Sequence, residues 1–586
     1  MEFIENRYNE IHSLLLDRNI NDEFEIKIQN CIDEYIKKNM MGKKIIFRCT
    51  GIHSMELLKK FEQNNCKVEM FLDKNSYGTV NGIPIYKPDI IKEIQFDYVV
   101  VASINFRKEI IDELKKYSIS QVKVIDIYEV LRENGIDLSG AFYRYKSGSY
   151  EIALKFYKDY LKSITLEEKQ KNLYNYIVSC LEMKNFPLFF KYAEVFIKNK
   201  YKNWSLIEQS VNEMKKLLED IKILISKRKQ KDIFIYWTDA VQQKYLKYMP
   251  YILKRKKESI SFENTYSITP YTHQVMRAMF AKLKPIDDYE QSKTLLSEKN
   301  SIVIKYLLEF DYDIKHIGHD GYINFSMESI YRIDYRADVA VSLILWEAIK
   351  EMLKNEKPVF YIIHVAGETH APCLSAELKE WIGDTSIVDI PEQQISCSYA
   401  AVSNLLEFYD EIIRSDNMYK IYMSDHGNHF EIPQWYWAQN KIKPYFYIYN
   451  SKIKAKEYYD IFSYNNFYEV IKWILDPQKN KLENSFSEYS CIQDVDIYNK
   501  TLVEFFISKN IKEYAMSYRG VVTVSDKYIL RSDGKEFYYT IDENFEEIES
   551  TCEYNRLNYL RSLAGNKFID IDTDNRFEYS RLLYKK

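Results

Sequence analysis

No two of the eight cysteines (Cys31, Cys49, Cys66, Cys180, Cys373, Cys397, Cys491 and Cys552) form a CxxC or any other close pair. Thiols scattered in this way suit a reducing compartment better than a disulfide scaffold, and a cytoplasmic location is expected. The N-terminus, MEFIENRYNEIHSLLLDRNIND, has early acids and no basic stretch leading into an apolar one. It does not read as a signal peptide. Long apolar runs are also missing. VAVSLILW at 339–346, among the most apolar, falls far short of a membrane span. Nor is there a surplus of one charge, since the net value is −4. That leaves no global electrostatic case for binding nucleic acid.

What is present describes folded domains. A chain of 586 residues, 46% hydrophobic and 29% charged, is too long for one ordinary core, and two to four domains are expected. Tyr (52) and Phe (31) are abundant; this is read as an AT-rich coding bias in preference to a sugar-stacking surface. Residues 1–40 have the pattern of amphipathic helices. From Lys43 short β-branched runs (KIIFRC, CKVEMFL, DYVVVAS, VKVIDI) alternate with helical segments, which predicts a parallel, doubly wound sheet over 41–135. The turn after its first strand keeps only Gly51 of a G-x-G-x-x-G loop, and Asp73 ends the second strand. This stretch, with FLDKNSYGTVNGIPIYKPDII, resembles the Rossmann-like N-terminal domains of bacterial surface-glycan enzymes. With two glycines missing, no nucleotide cofactor is expected. Residues 136–228 read as helical, with two segments of small–aromatic–Ala spacing like a tetratricopeptide hairpin.

The chemistry-bearing residues lie in the last section, 229–586. DIFIYWTDA is a strand that delivers Asp239 at its C-terminal end, where open α/β sheets gather functional groups. A lone Asp there also reads as a helix cap. SFENTYSITPYTHQVMRAMF presents Thr272 after Pro270, just ahead of a helical run. Thr272 reads as a cap for that helix, and a helix N-terminus also favours a phosphoryl oxyanion. KPVFYIIHVAGETHAPCL runs a strand into His364 and His370, and MYKIYMSDHGNHF ends a strand in Asp425-His426-Gly427. Side chains adjacent on a strand face opposite ways. Asp425 and His426 reach one ion only if the chain turns there, and Gly427 is expected to allow the turn.

Taken in order, these segments resemble the alkaline phosphatase/sulfatase superfamily, nearest to the catalytic domains of phosphoethanolamine and phosphoglycerol transferases. The closing stretch SYRGVVTVSDKYILRSDGKEFYYTIDENFEEIES extends the resemblance. It implies an α/β sandwich and one divalent metal, Zn or Mn, held by Asp239, Thr272, Asp425 and His426. It also implies Thr272 as nucleophile with a covalent phosphothreonine, and His370 as a contact to the substrate phosphate. His364, His429 and Lys527 are further substrate-contact candidates. For His364 a buried core role is equally open, for His429 an exposed-loop role, and for Lys527 a surface role. A formylglycine sulfatase needs Cys or Ser at position 272, so sulfate-ester hydrolysis is the first alternative and a non-catalytic scaffold the second. The expected substrate is a small-molecule or glycan phosphoester. Oligomeric state is not legible.

Overall fold

In a computed structural model the protein is described over residues 2–15, 23–50, 52–74, 78–80, 82–103, 107–136, 150–291, 294–319, 325–326, 330–335, 340–370, 376–377, 392–427, 437–495, 500–542, 546–572 and 577–584. The chain divides into two compact units, one of residues 16–155 and one that joins 1–15 to 156–586. Among the described residues no helix is long and apolar enough to cross a membrane.

The smaller unit has the expected α/β architecture. Its strands are β1 (Ile45–Arg48), β2 (Val68–Leu72), β3 (Gly78–Val80), β4 (Ile83–Tyr86), β5 (Tyr98–Val101) and β6 (Val124–Asp126). They lie in the order β3-β4-β2-β1-β5-β6, parallel except for β3. The crevice of such a sheet opens at the C-terminal ends of the strands, where the order reverses beside β1. Gly51 lies outside the described residues, but its neighbour Thr50 is informative. Its amide and its hydroxyl both donate to Asp73 Oδ2, at 3.0 Å each. The acid that would grip a ribose instead engages donors of the loop that would cradle a pyrophosphate. Calorimetric titration of the full chain with NAD or a nucleotide sugar is therefore expected to show no tight binding. Micromolar affinity for either would mean that Asp73 releases Thr50 for the ligand.

In the larger unit, helices Tyr150–Lys162, Leu166–Glu182, Phe186–Lys198 and Trp204–Ser226 fill the middle of the sequence, the first of them beginning in the smaller unit. Leu166–Glu182 starts in a reciprocal capping box between Thr165 and Glu168. Asn185 caps Phe186–Lys198, with Pro187 in its first turn. Helix Glu2–Leu15 packs against this layer although it precedes the smaller unit in sequence.

The central sheet follows. Its strands are β7 (Ile233–Thr238), β8 (Ile260–Tyr266), β9 (Asp313–His319), β10 (Tyr331–Tyr335), β11 (Val359–Val365), β12 (Tyr419–Ser424), β13 (Phe446–Tyr449), β14 (Lys456–Ser463) and β15 (Phe486–Ser487). The order is β10-β9-β11-β7-β12-β13-β8-β14-β15, and β9, β10, β11, β7 and β12 run parallel. A third, antiparallel sheet joins β16 (Ser490–Asp494), β17 (Tyr518–Val522), β18 (Asp526–Arg531), β19 (Glu536–Ile541) and β20 (Glu547–Glu549) in sequence order.

The parity of the central strands places the chemistry. Ile233, Ile235 and Trp237 of β7, Ile314 of β9, Phe360 and Ile362 of β11, and Ile421 and Met423 of β12 share one apolar core, which also receives Val275, Met276, Met279 and Phe280 from helix Thr272–Ala281. Continuing each alternation toward the C-terminal ends brings Asp239, His316, His364 and Asp425 to the same side. The opposite face buries Asp410. It accepts from Tyr236 (2.7 Å), Tyr422 (2.9 Å), Lys420 (2.5 Å), Arg255 (2.7 Å) and Tyr251, which ties β7 and β12 to the helices behind them.

Candidate metal centre

Asp239 leaves the end of β7 with its amide bonded to the Val365 carbonyl at 2.9 Å. Asp425 leaves β12 in register beside it, and the next residue, His426, turns inward. One ligand atom from each of these three residues falls within 4.8 Å of the others, and all three are buried. Thr272 Oγ1 completes the group, 3.2 Å from Asp239 Oδ2 and 3.1 Å from His426 Nε2. The four residues assigned to a metal from the sequence thus converge on one point.

The hydroxyl of Thr272 is not a helix cap. The cap position of helix Thr272–Ala281 is Tyr271, which makes no side-chain capping bond, and Thr272 is the first helical residue. Its oxygen faces the acids. The amides of Gln274 and Val275 meet the Tyr271 carbonyl at 3.1 and 3.0 Å, and the positive end of the helix dipole at Thr272 suits an anion.

The centre is short of hydrogens. Asp425 Oδ1 accepts from the amides of Ala240 (3.0 Å) and His426 (2.9 Å), while its Oδ2 makes no hydrogen bond. Asp239 Oδ1 is likewise buried without a hydrogen bond. His426 Nδ1 lies 2.8 Å from the Gly427 carbonyl, an acceptor, so Nδ1 carries the hydrogen and Nε2 presents a lone pair. Thr272 has a single hydrogen for both Asp239 Oδ2 and His426 Nε2. Two carboxylate oxygens and an imidazole nitrogen therefore converge with too few protons among them. A buried group left in that state is costly, whereas a divalent cation would satisfy all of them at once. Two carboxylates, one imidazole and one hydroxyl form a donor set suited to Zn²⁺ or Mn²⁺.

The local electrostatics agree. Burial alone would raise the Asp239 pKa, but the carboxyl is held below its ordinary range, first of all by the hydrogen bond from His364. Asp425 is pushed upward by burial and by the charge of Asp239. Two carboxylates so close resist ionising together unless a cation joins them. Burial also lowers the His370 pKa, favouring the neutral ring. His273, beside Thr272, is brought down to about 4 by burial and by the charge of Arg277.

The other sequence-assigned residues separate. His364 is fully buried and touches Asp239 Oδ2 at 3.0 Å, so it belongs to the centre but behind it. His370 ends the short helix Gly367–His370 after β11 and enters the electrostatics of Asp239. His429 lies outside the described residues. Lys527 sits on β18 with no exposed surface, and its ammonium donates to Glu547 and to the Trp437 carbonyl, which makes it part of the third sheet's packing. Gly427 differs from expectation too. Its φ is not left-handed; a Cβ there would lie 1.9 Å from the Asn440 carbonyl oxygen, so glycine is needed for close approach of Gln439–Ile442.

Sequence reading passed over Lys441 in that short helix. It is 1% exposed, and burial draws its ammonium down to about 7. The folded chain holds this proton more weakly than the unfolded chain does, so stability rises as pH climbs from about 7 toward the unfolded value near 10.4. Lys441→Met is expected to flatten the rise in stability between about pH 7 and 10, read as the unfolding midpoint across that window. An unchanged slope in the variant would contradict a charged-state penalty.

The family model described as "C2185-like, N-terminal" matches residues 40–125. No curated protein matches the sequence. Among solved structures, a 2-O GAG sulfatase is similar at 12% identity and a TM-score of 0.44, covering 57% of this chain and 90% of its own. A protein in the alkaline phosphatase superfamily from Vibrio parahaemolyticus gives 12% identity and 0.40, covering 62% and 95%. The phosphonate monoester hydrolase of Agrobacterium radiobacter gives 10% identity and 0.40, covering 57% and 94%.

Proposed function

We propose that residues 229–586 form a metal-dependent phosphoryl-transfer domain that works through a covalent phosphothreonine at Thr272. The observation that carries this reading is the placement of the Thr272 oxygen against Asp239 and His426, beside two buried carboxylate oxygens that lack a hydrogen bond. Asp239, Thr272, Asp425 and His426 would hold one divalent ion. Such an ion lowers the pKa of a bound hydroxyl and offsets charge on a phosphoryl oxygen.

The chain's own groups account for the rest. Thr272 Oγ1 gives up its hydrogen and attacks phosphorus, the bond to the leaving oxygen breaks, and that oxygen takes up one proton from solvent in exchange and departs as an alcohol. The amides opening helix Thr272–Ala281 and the neutral ring of His370 donate hydrogen bonds to the nonbridging oxygens. Water or a second hydroxyl then attacks phosphorus, and the Thr272–phosphorus bond breaks. The substrate class is a small-molecule or glycan phosphoester, handled in the cytoplasm to judge from the dispersed thiols. Threonine in place of Cys or Ser disfavours sulfate chemistry that depends on formylglycine.

Elemental analysis after reconstitution is expected to give about one Zn or Mn per chain. The replete enzyme should cleave aryl phosphate mono- or diesters or phosphonates in preference to sulfates, and a chelator should abolish turnover. Activity that persists in chelator would sink the reading, and preference for aryl sulfates would redirect it.

A further inference from the structure

We infer that His364 is a positioning residue which fixes the oxygen of Asp239 that faces the metal. The inference rests on the functional reading above and extends it to a residue outside the ligand set. Asp239 has two carboxylate oxygens with unlike surroundings. Oδ2 receives His364 Nε2 at 3.0 Å and the Thr272 hydroxyl at 3.2 Å, whereas Oδ1 has no hydrogen bond. A carboxylate only accepts, so Nε2 of His364 carries the hydrogen. With Oδ2 gripped in this way, rotation about Cβ–Cγ is stopped and Oδ1 is left as the open lone pair. The imidazole is fully buried and offers no surface to a substrate, which favours positioning over contact.

The surroundings hold the ring in place. On one side the Trp237 indole meets it at 66°, with centroids 5.6 Å apart. On the other, β9 pairs Gly318 directly with His364, and the His316 ring centroid lies 6.0 Å away. A Cβ on Gly318 would lie 2.6 Å from His364 Cβ, 2.8 Å from its carbonyl oxygen and 3.2 Å from His316 Cε1. The imidazole fits because position 318 has no side chain. Outer partners of this kind typically change metal affinity 10–100-fold when lost.

The test is metal affinity, measured for Zn²⁺ and Mn²⁺ by competition with a chelating dye on the full chain. His364→Leu, His364→Gln and Gly318→Ala are compared with wild type, and the unfolding midpoint of each metal-free protein is recorded. His364→Leu should weaken binding about 10–100-fold. His364→Gln, whose amide nitrogen can reach Oδ2, should recover most of that loss. Gly318→Ala should weaken binding by displacing an unaltered His364, and it decides the matter with His364→Gln if the leucine variant does not fold. Wild-type affinity in a folded His364→Leu, or a glutamine variant as weak as leucine, overturns the inference while leaving the metal centre standing. Wild-type protein that takes up no metal removes both.

Discussion

Thr272→Ala should lower turnover by several orders of magnitude while leaving the protein folded. The substitution removes the attacking oxygen and one proposed metal ligand together, so covalent and electrostatic contributions vanish at once. Thr272→Ser keeps the oxygen and should retain measurable activity. The lost methyl belongs to a residue 3% exposed in a packed helix, which predicts a modest stability cost and some loss of precision in aiming the hydroxyl. Phosphate trapped on the wild-type enzyme should map by mass spectrometry to Thr272 and not to Ser267 or Thr269, whose hydroxyls already serve local hydrogen bonds. The opposing account makes Thr272 a helix cap, for which alanine costs about 1 kcal/mol and little activity. The structure weakens that account, because the Thr272 oxygen points to Asp239 and His426 and Tyr271 holds the cap position. An alanine variant turning over near the wild-type rate would end the nucleophile assignment.

The site was legible in sequence wherever its residues stand at the end of a strand. Asp239 and Asp425 follow the strand-like runs IFIYWT and YKIYMS, and strand parity alone sends them to one side of the sheet. Thr272 was legible as the opening of a helix after Pro270. What could not be read depends on partners distant in the chain. His364 lies 125 residues from Asp239, and nothing local shows that its hydrogen goes to that carboxylate. The role of Gly318 exists only through the register of β9 against β11. Lys527 looked available to an anion because the sequence does not reveal Glu547 folding back beside it. Gly427 was correctly singled out but for another physical reason, the closeness of Asn440. The α/β class of 41–135 followed from alternating apolar runs, and that of 229–586 from the family resemblance of its segments. The home of the first helix did not, since an amphipathic pattern shows that a face is buried without showing against what.

That helix sets up a second large effect. Removing residues 1–135 should destabilise the remainder severely, whereas replacing 16–155 by a flexible Gly/Ser linker of about 20 residues should not. Ile4, Tyr8, Ile11 and Leu15 are spaced along one helical face and are all buried. Tyr8 donates to the Leu181 carbonyl at 3.0 Å, Tyr174 donates to the Leu15 carbonyl at 2.9 Å, and Lys350 meets Glu5 at 2.7 Å. At about 1.5–3 kcal/mol for each buried apolar side chain, the four contribute roughly 6–12 kcal/mol as an upper estimate. That is the size of a whole domain's net stability, about 5–15 kcal/mol. Without the helix, Trp346 loses the Tyr8 ring that now packs 6.0 Å away, and the carbonyl of Leu181 loses its buried donor. The internal replacement keeps all of these contacts, because both chain segments that make them remain. Thermal unfolding with bound-metal analysis separates the two cases. The internal replacement should unfold cooperatively and take up about one metal equivalent, while the N-terminal truncation should be aggregation-prone or unfold at a much lower midpoint. A truncation lacking 1–135 that matched the wild-type midpoint would show that the helix lies on the larger unit without stabilising it.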